Sequence, residues 1–288
     1  CNKEALTIGK SEEGFYRWSL DPEKCIGCHL CEKSCPIITP PTRFAQSDIK
    51  VFAGWHLDED IRMQSSSGGA FTALAESILS KGGCVVGAVY AEDMTIEHQI
   101  ISTYEDLSKL RLSKYSQSKI GSVFTDVKSL LQEGRYVLFV GTACQAAGLK
   151  SYLRKDYDNL ICTDIICHGV PSIYLLHAYL NWIEPKTGTV EHINFRDKQK
   201  GWYDNLRVVR NSEGKVSSMK GDDDAYWIAF NRNNCLQECC YDCKSQGFPR
   251  CSDITLADFW RIGHNVPFGH KEEIEKGVSM ILVNNSKV

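Results

Sequence analysis

The amino-acid sequence predicts a mixed α/β protein (α+β overall), with a small cysteine-rich unit over residues 1–41 and a larger core over 48–288. Three observations carry this. Four cysteines crowd into one run, CIGCHLCEKSCP, from Cys25 to Pro36. From Ile49 onwards, β-rich runs alternate with segments of helical apolar spacing, which reads as an α/β unit with a largely parallel sheet. Two further strand-like runs, VEHINFRD and NLRVVR, fall together between Thr189 and Arg210. They predict an antiparallel excursion from the core.

The first unit follows from its spacing. C-x2-C-x2-C-x3-C followed by Pro is the bacterial ferredoxin run for a 4Fe-4S cluster. Three thiolates two residues apart on a tight loop reach three corners of one cube. The fourth, just before Pro, leaves that loop and in two-cluster ferredoxins ligates the other cluster. A structural zinc knuckle is the competing reading, but zinc usually takes two separated CxxC pairs. Under crossed ligation, Cys25, Cys28 and Cys31 need a fourth ligand from an earlier cysteine, and Cys1 is the one present. The stretch CNKEALTI reads as the tail of a first run, with Asn2 where Pro is usual. The unit is therefore expected to be a partial two-cluster ferredoxin-like module, in a chain trimmed at both ends. Cys35 would serve a first cluster whose other ligands lie upstream, or be a spare thiol here. Glu13 to Phe15 sits in the turn between the cluster loops, and Pro36, Pro40 and Pro41 close the module.

Composition bounds the function. The chain has 288 residues and a net charge of -3, and its pI is about 6.3. No basic stripe points to nucleic acid. No apolar run approaches membrane-spanning length, and no signal-peptide core opens the chain. Fourteen cysteines as disulfides would need an oxidising compartment. Metal ligation is the better use of them, and a cytoplasmic location is expected.

The core opens with the strand-like IKVFAGW from Ile49. Ser65, Ser66, Ser67, Gly68 and Gly69 then precede a helix with apolar positions at Phe71, Leu74, Ala75, Ile78 and Leu79. A small turn feeding a helix start presents free N–H groups to an anion such as a flavin pyrophosphate. An ordinary serine N-cap explains the same residues equally well. CVVGAVY, from Cys84, is a buried strand. Thr103 to Leu112 reads as a short helix and loop. LSKYSQSKIG, from Leu112, is polar; it either holds a cofactor through hydrogen bonds and the Lys114 charge, or is a solvated loop. Ile120 to Gln132 is an amphipathic helix. RYVLFVGTACQAAGLKSYL gives strand, turn and helix, with Cys144 at the helix start. The next strand, LICTDIICHGVPS, ends at Cys167 and His168, and a helix runs from Ser172 to about Glu184. Ligands of such sheets sit at the carboxyl ends of strands, where Cys144 and Cys167 fall. A thiol at a helix N-terminus ionises readily, which suits a metal ligand or a nucleophile. Asp222 to Asn231 is a short helix. CLQECCYDCKSQGFPRC then gathers Cys235, Cys239, Cys240, Cys243 and Cys251; the pair Cys240 and Cys243 offers two adjacent ligands. SDITLADFW and GVSMILVNN close the chain as strands.

Six of these stretches in order, SSSGGAFTAL, SKYSQS, GTACQAAGL, DIICHGVPS, NFRDKQKGW and CCYDCK with SDITLADFW, resemble the coenzyme F420 hydrogenase/dehydrogenase beta-subunit family, from Cys1 to about Asn285. The fused front module is similar to bacterial members, and the core more distantly to 7-hydroxymethyl chlorophyll a reductase. The resemblance implies an iron–sulfur flavoprotein binding FAD at Ser66, Ser67, Gly68, Gly69 and Thr72, with Ser113, Lys114 and Tyr115 from the SKY segment. It implies a second cluster at Cys144, Cys167, Cys240 and Cys243. Thr142, Ala143 and Cys144 stand where the family commonly has Thr-Pro-Cys, with the thiol retained. Cys235, Cys239 and Cys251 depart from the usual pattern.

The implied chemistry mixes one-electron clusters with a two-electron flavin. Electrons would pass between a ferredoxin or another redox protein, the clusters and FAD, and then to a small-molecule substrate, coenzyme F420 or another compound. His168 would donate a proton near the flavin, or else hydrogen-bond a cluster sulfur or the backbone. Lys198 and Arg196 would meet an anionic substrate or the FAD phosphates, or lie in a solvated turn. Two other classes stand beside this reading: an electron-transfer subunit without its own substrate site, and a thiol enzyme with Cys144 as nucleophile and His168 as base.

Overall fold

A computed structural model of the chain describes residues 1–204 and 206–287. The front unit begins with a hairpin of β1 (Leu6–Lys10) and β2 (Tyr16–Leu20), paired antiparallel from Leu6↔Leu20 to Lys10↔Tyr16. The turn between them includes Glu13 to Phe15, as expected. The cysteine loop follows and carries one helical turn, α1 (Leu30–Lys33).

The core elements arise in the predicted sequence. β3 (Lys50–Gly54), α2 (Glu59–Met63) and α3 (Ala70–Leu79) lead to β4 (Cys84–Tyr90) and β5 (Ile96–Ile101). After α4 (Leu107–Leu110) and β6 (Ser118–Lys119) comes α5 (Val123–Gln132), which buries Val123, Val127 and Leu131, a four-residue repeat on one face. β7 (Val137–Thr142) runs straight into α6 (Ala143–Leu153), whose capping box joins Thr142 and Gln145. β8 (Leu160–Ile165) precedes α7 (Ile173–Thr187), where the Ser172 hydroxyl accepts the Leu175 N–H at 3.2 Å. The excursion is β9 (Val190–Asp197), β10 (Leu206–Asn211) and β11 (Val216–Lys220), a separate antiparallel sheet as predicted. α8 (Ala225–Asn231), α9 (Glu238–Tyr241), β12 (Ile254–Asp258) and β13 (Ser279–Val283) complete the order.

Eight strands form the main sheet, in the order β3-β13-β12-β8-β7-β4-β5-β6. Its centre, β12-β8-β7-β4, is parallel. The expected largely parallel sheet is nevertheless mixed, because β3/β13, β13/β12 and β4/β5 pair antiparallel. The physical reason at β4/β5 is the tight connection through Ala91 to Thr95, which cannot carry the crossover that parallel strands need.

Side chains alternate across β7. Leu138 joins Ala75, Ile78 and Val85 under α3, while Phe139 joins Val127, Leu131 and Leu149 under α5 and α6. The small sheet packs with α7 and α8 through Leu176, Tyr179, Ile193, Phe195 and Tyr226. Asp224 ties that layer: it accepts from Trp227 N at 2.9 Å and the Tyr179 hydroxyl at 2.7 Å, and faces Arg207 at 2.5 Å. Among the described residues, no helix is long and apolar enough to cross a membrane.

Candidate functional site

The carboxyl ends of β7, β8 and β12 open into one cleft of about 540 Å³. Val140 to Thr142, Ile165 to Cys167 and Leu256 to Asp258 line it. This is where ligands of open α/β sheets bind, and the volume suits a cofactor or small molecule.

The serine loop forms one wall. Ser66, Ser67 and Gly69 line the cleft, with Ala70 and Phe71 of α3 behind them. The helix cap is Gly69, at φ 88° and without a side chain to accept an N–H. The serine N-cap reading therefore does not hold, and the first turn of α3 is free to face an anion. Gly68 lies beneath. Its N–H donates to Ser279 Oγ at 3.0 Å, and a Cβ there would stand 2.5 Å from the Gly54 carbonyl oxygen. Thr72 is fully buried and accepts from Arg111 Nε at 3.2 Å.

The SKY segment meets that loop directly. Ser113 donates to Ser66 Oγ through its N–H at 3.0 Å and lies 3.2 Å away through its hydroxyl. Tyr115 stands edge-on against Phe195, Trp227 and Phe230 at 4.9–5.4 Å. Lys114 lines the cleft, but its ammonium donates to the carbonyls of Lys109 and Arg111. Burial lowers its pKa to about 7. Arg111 and Arg196 also line the cleft, Arg196 paired with Asp258.

Lys198 does not reach the cleft wall. It is 3% exposed, and its ammonium donates to the carbonyls of Arg62 and Ser67 at 2.6 Å and of Lys276 at 2.8 Å. This corrects the expectation of a catalytic or substrate-facing lysine. A buried cation needs partners, and here three carbonyls from distant segments converge on it and pin the serine loop from behind. Arg196 is buried, lies 3.0 Å from Asp258 and stacks over Trp260 at 4.8 Å, so it is no solvated turn. His168 lines the cleft with its ring 4.8 Å from that of Phe230.

Of the core cysteines, Cys167 lines the same cleft. Thr142 pairs with Ile165 across β7 and β8, so Cys144 and Cys167 stand in equivalent positions two residues past neighbouring strands. The third segment is tied down by Gln237, whose N–H donates to Val170 O at 2.9 Å while its carbonyl accepts from Cys240 N at 2.8 Å. Electrostatic reach follows. Burial pushes the Cys167 thiol up to about 12, with Cys144, Cys240 and Cys243 adding to the rise. Burial likewise raises Cys240 to about 11, and Cys144 rises chiefly for the same reason, with Cys243 and Cys239 contributing. Burial thus works against the easy ionisation expected of Cys144 at the helix start. Neighbouring thiols that resist ionisation together suit a site that releases protons when it takes up metal. Among the described residues no three His, Cys, Asp or Glu close on one point as a single metal ion demands. The remaining cysteines of the loop divide. Cys235 packs against the core under α7 and α8, Cys251 is buried, and Cys239 is exposed. In the front module Cys1, Cys25, Cys28 and Cys31 are exposed and Cys35 is half-buried.

Comparison with known families decides the relationship. Two family models describe the beta subunit of coenzyme F420 hydrogenase/dehydrogenase; the one for its C terminus matches residues 134–288 and the one for its N terminus matches residues 51–125. The chain belongs to this family. A 4Fe-4S binding domain also matches residues 18–37, spanning Cys25 to Cys35 but not Cys1. A chain from the xenon-derivatised F420-reducing [NiFe] hydrogenase complex of Methanosarcina barkeri shares the fold. It is 18% identical, with a TM-score of 0.55, covering 85% of this chain and 76% of that one. No curated protein matches the chain. As an F420 hydrogenase/dehydrogenase beta-subunit family member with a 4Fe-4S motif, the chain is an iron–sulfur electron-transfer oxidoreductase.

Within this beta-subunit fold, sequence reasoning missed Arg111, Asp258, Trp260 and His98, all of which line the cleft. Arg111 immediately precedes the stretch LSKYSQSKIG, and that adjacency was a usable signal. Asp258 and Trp260 are in the stretch SDITLADFW, but only the fold brings its end against β9.

Proposed function

We propose that the protein is an iron–sulfur flavoprotein oxidoreductase that takes electrons from a ferredoxin-type donor and delivers them, through FAD, to a two-electron or hydride-accepting small molecule. The observation that carries this is the single cleft shared by the serine loop, the SKY segment and the ends of β7 and β8. Coenzyme F420, named in the family's description, is one candidate substrate. Residues 1–41 act as the front cluster module and 48–288 as the flavin and cluster core.

Bound FAD supplies the conversion between single electrons and electron pairs. The chain's own residues do the rest. The first turn of α3 and Gly69 receive the pyrophosphate, with Arg111 adding charge beside them. Ser66 and Ser113 brace one another, and Gly68 and Thr72 support the loop from below. Tyr115 offers its face to a planar ring, and Lys114 anchors its own loop. Cys144, Cys167, Cys240 and Cys243 would hold the core cluster; Cys25, Cys28 and Cys31 would hold the front one, with Cys1 as fourth ligand and Cys35 serving another cluster or standing as a spare thiol. His168, open to the cleft, exchanges a proton with a reacting ligand.

The test is anaerobic reconstitution with iron and sulfide, followed by FAD titration and an absorption spectrum. A brown protein with a stoichiometric flavin band, reduced by ferredoxin, is expected. A preparation that takes up iron but no flavin would leave electron transfer without a substrate site as the function.

A further inference from the structure

α6 has two working ends. Its first turn carries Cys144 and borders the cleft through Thr142 and Gln145. Its last turn and C-cap hold the front module. Ser151 donates to the Thr39 carbonyl at 3.2 Å. Arg154, the C-cap residue, donates through Nη2 to Leu30 O at 3.2 Å and to Ser34 Oγ at 2.9 Å. Leu30 lies between Cys28 and Cys31, and Ser34 between Cys31 and Cys35. Lys150, on the same turn, lies 4.8 Å over the ring of Phe44 in the linker. From Cys144 to Arg154 the helix advances about 15 Å, at 1.5 Å per residue.

A second tie joins the other side of the module to the core cysteines. Tyr16 N donates to Gln117 Oε1 at 2.7 Å, and Gln117 Nε2 donates to Gln237 Oε1 at 3.2 Å. Gln237 is the residue whose backbone bonds both Val170 and Cys240. The hairpin is also seated closely, since a Cβ on Gly14 would stand 2.3 Å from the Tyr174 ring.

The geometry points to α6 as a rigid spacer that fixes the distance between the front and core cysteine sets, with Arg154 and Gln117 as positioning residues for electron passage between them. The inference rests on the proposed core cluster. Neither residue is a ligand; both act by holding the cysteine-bearing loops at one separation and one orientation. Without them the module stays folded on its own iron and attached through Thr39, Arg43 and Phe44, but its cysteine loop and hairpin lose the bonds that orient them, and the electron path lengthens.

The test uses the full chain reconstituted anaerobically with iron and sulfide. Arg154→Ala with Gln117→Ala is expected to keep wild-type iron content. Magnetic coupling between the two reduced centres should fall, and protease cleavage at residues 38–43 should quicken. Electron passage from front to core should slow by about tenfold or more, the scale on which ångström displacements act on rates. Arg154→Lys, which keeps a donor for the loop, is expected to retain the coupling. Unchanged coupling and cleavage in the double alanine variant would overturn the spacer. Wild-type protein with iron in the front module alone would overturn it differently, by removing the core cluster on which it rests.

Discussion

Gly68 lets the serine loop lie flat on two strands. A methyl group there would come within 2.5 Å of the Gly54 oxygen and 2.6 Å of the Ser279 nitrogen, and backbone cannot move aside as a side chain can. Gly68→Ala is expected to lower the unfolding free energy by roughly 2–4 kcal/mol, measured by urea denaturation, and to weaken flavin uptake. His98 makes a second prediction at this scale. It is buried, 2.7 Å from Ser118 Oγ and 3.3 Å from Val140 O, and burial lowers its pKa to about 4. As pH falls below the unfolded value near 6.5, the unfolded chain binds a proton that the folded one refuses. Stability is therefore full above about pH 6.5 and declines towards pH 4, by up to about 3 kcal/mol. His98→Gln should flatten that acid limb; an unchanged slope in the variant would remove His98 as its source. The glycine was legible as part of the serine loop, whereas the packing of Gly54 and Ser279 against it was not. His98 was not legible, because one histidine in a strand looks the same whether buried or exposed.

At the scale of elements, the alternation of strands and helices was readable because α5 repeats its buried apolar residues every four positions and α6 and α7 open on capping side chains. Ser172→Ala tests one such start. Removing the oxygen that accepts the Leu175 N–H should cost about 1 kcal/mol, seen as a lower urea midpoint with iron uptake unchanged. Strand direction was less readable, since β13 and β12 have no local mark that they run antiparallel. The attachment of the serine loop was hidden altogether: Lys198 draws on Arg62, Ser67 and Lys276, far apart in sequence. Lys198→Met leaves three carbonyls without their donor. It should destabilise the protein by about 2–4 kcal/mol and weaken flavin binding in an equilibrium titration, while iron content stays at the wild-type value. Loss of iron instead would mean that Lys198 supports the cysteine end of the cleft.

For the molecule as a whole, the front cysteine run is the feature most legible in the sequence, because ligand spacing within one loop is local chemistry, and a 4Fe-4S binding domain matches it. Cys144→Ser and Cys240→Ser should each remove the core iron and leave the front iron, read by iron analysis and by the spectrum of the reduced protein. Full iron in both variants would refute the ligand assignment. The sequence could not say that Cys235 and Cys251 turn inward, because burial depends on which surfaces the fold presents to them. Nor could it say how the front module sits on the core. Across that seam Gln117 accepts from Tyr16, Ser151 donates to Thr39, and Arg154 donates to Leu30 and Ser34, each pair at least 101 positions apart in sequence.

The serine loop owes its shape to β13, a strand far along the chain from it. Gly68 and Ser67 are held by Ser279 and Val278, separated from them by 211 residues. Contacts that close such long stretches of chain form late in folding. On the proposed function, the front cysteines would thus gather their metal on a nascent chain well before a flavin had anywhere to dock, and the order of cofactor loading would follow from the chain's connectivity.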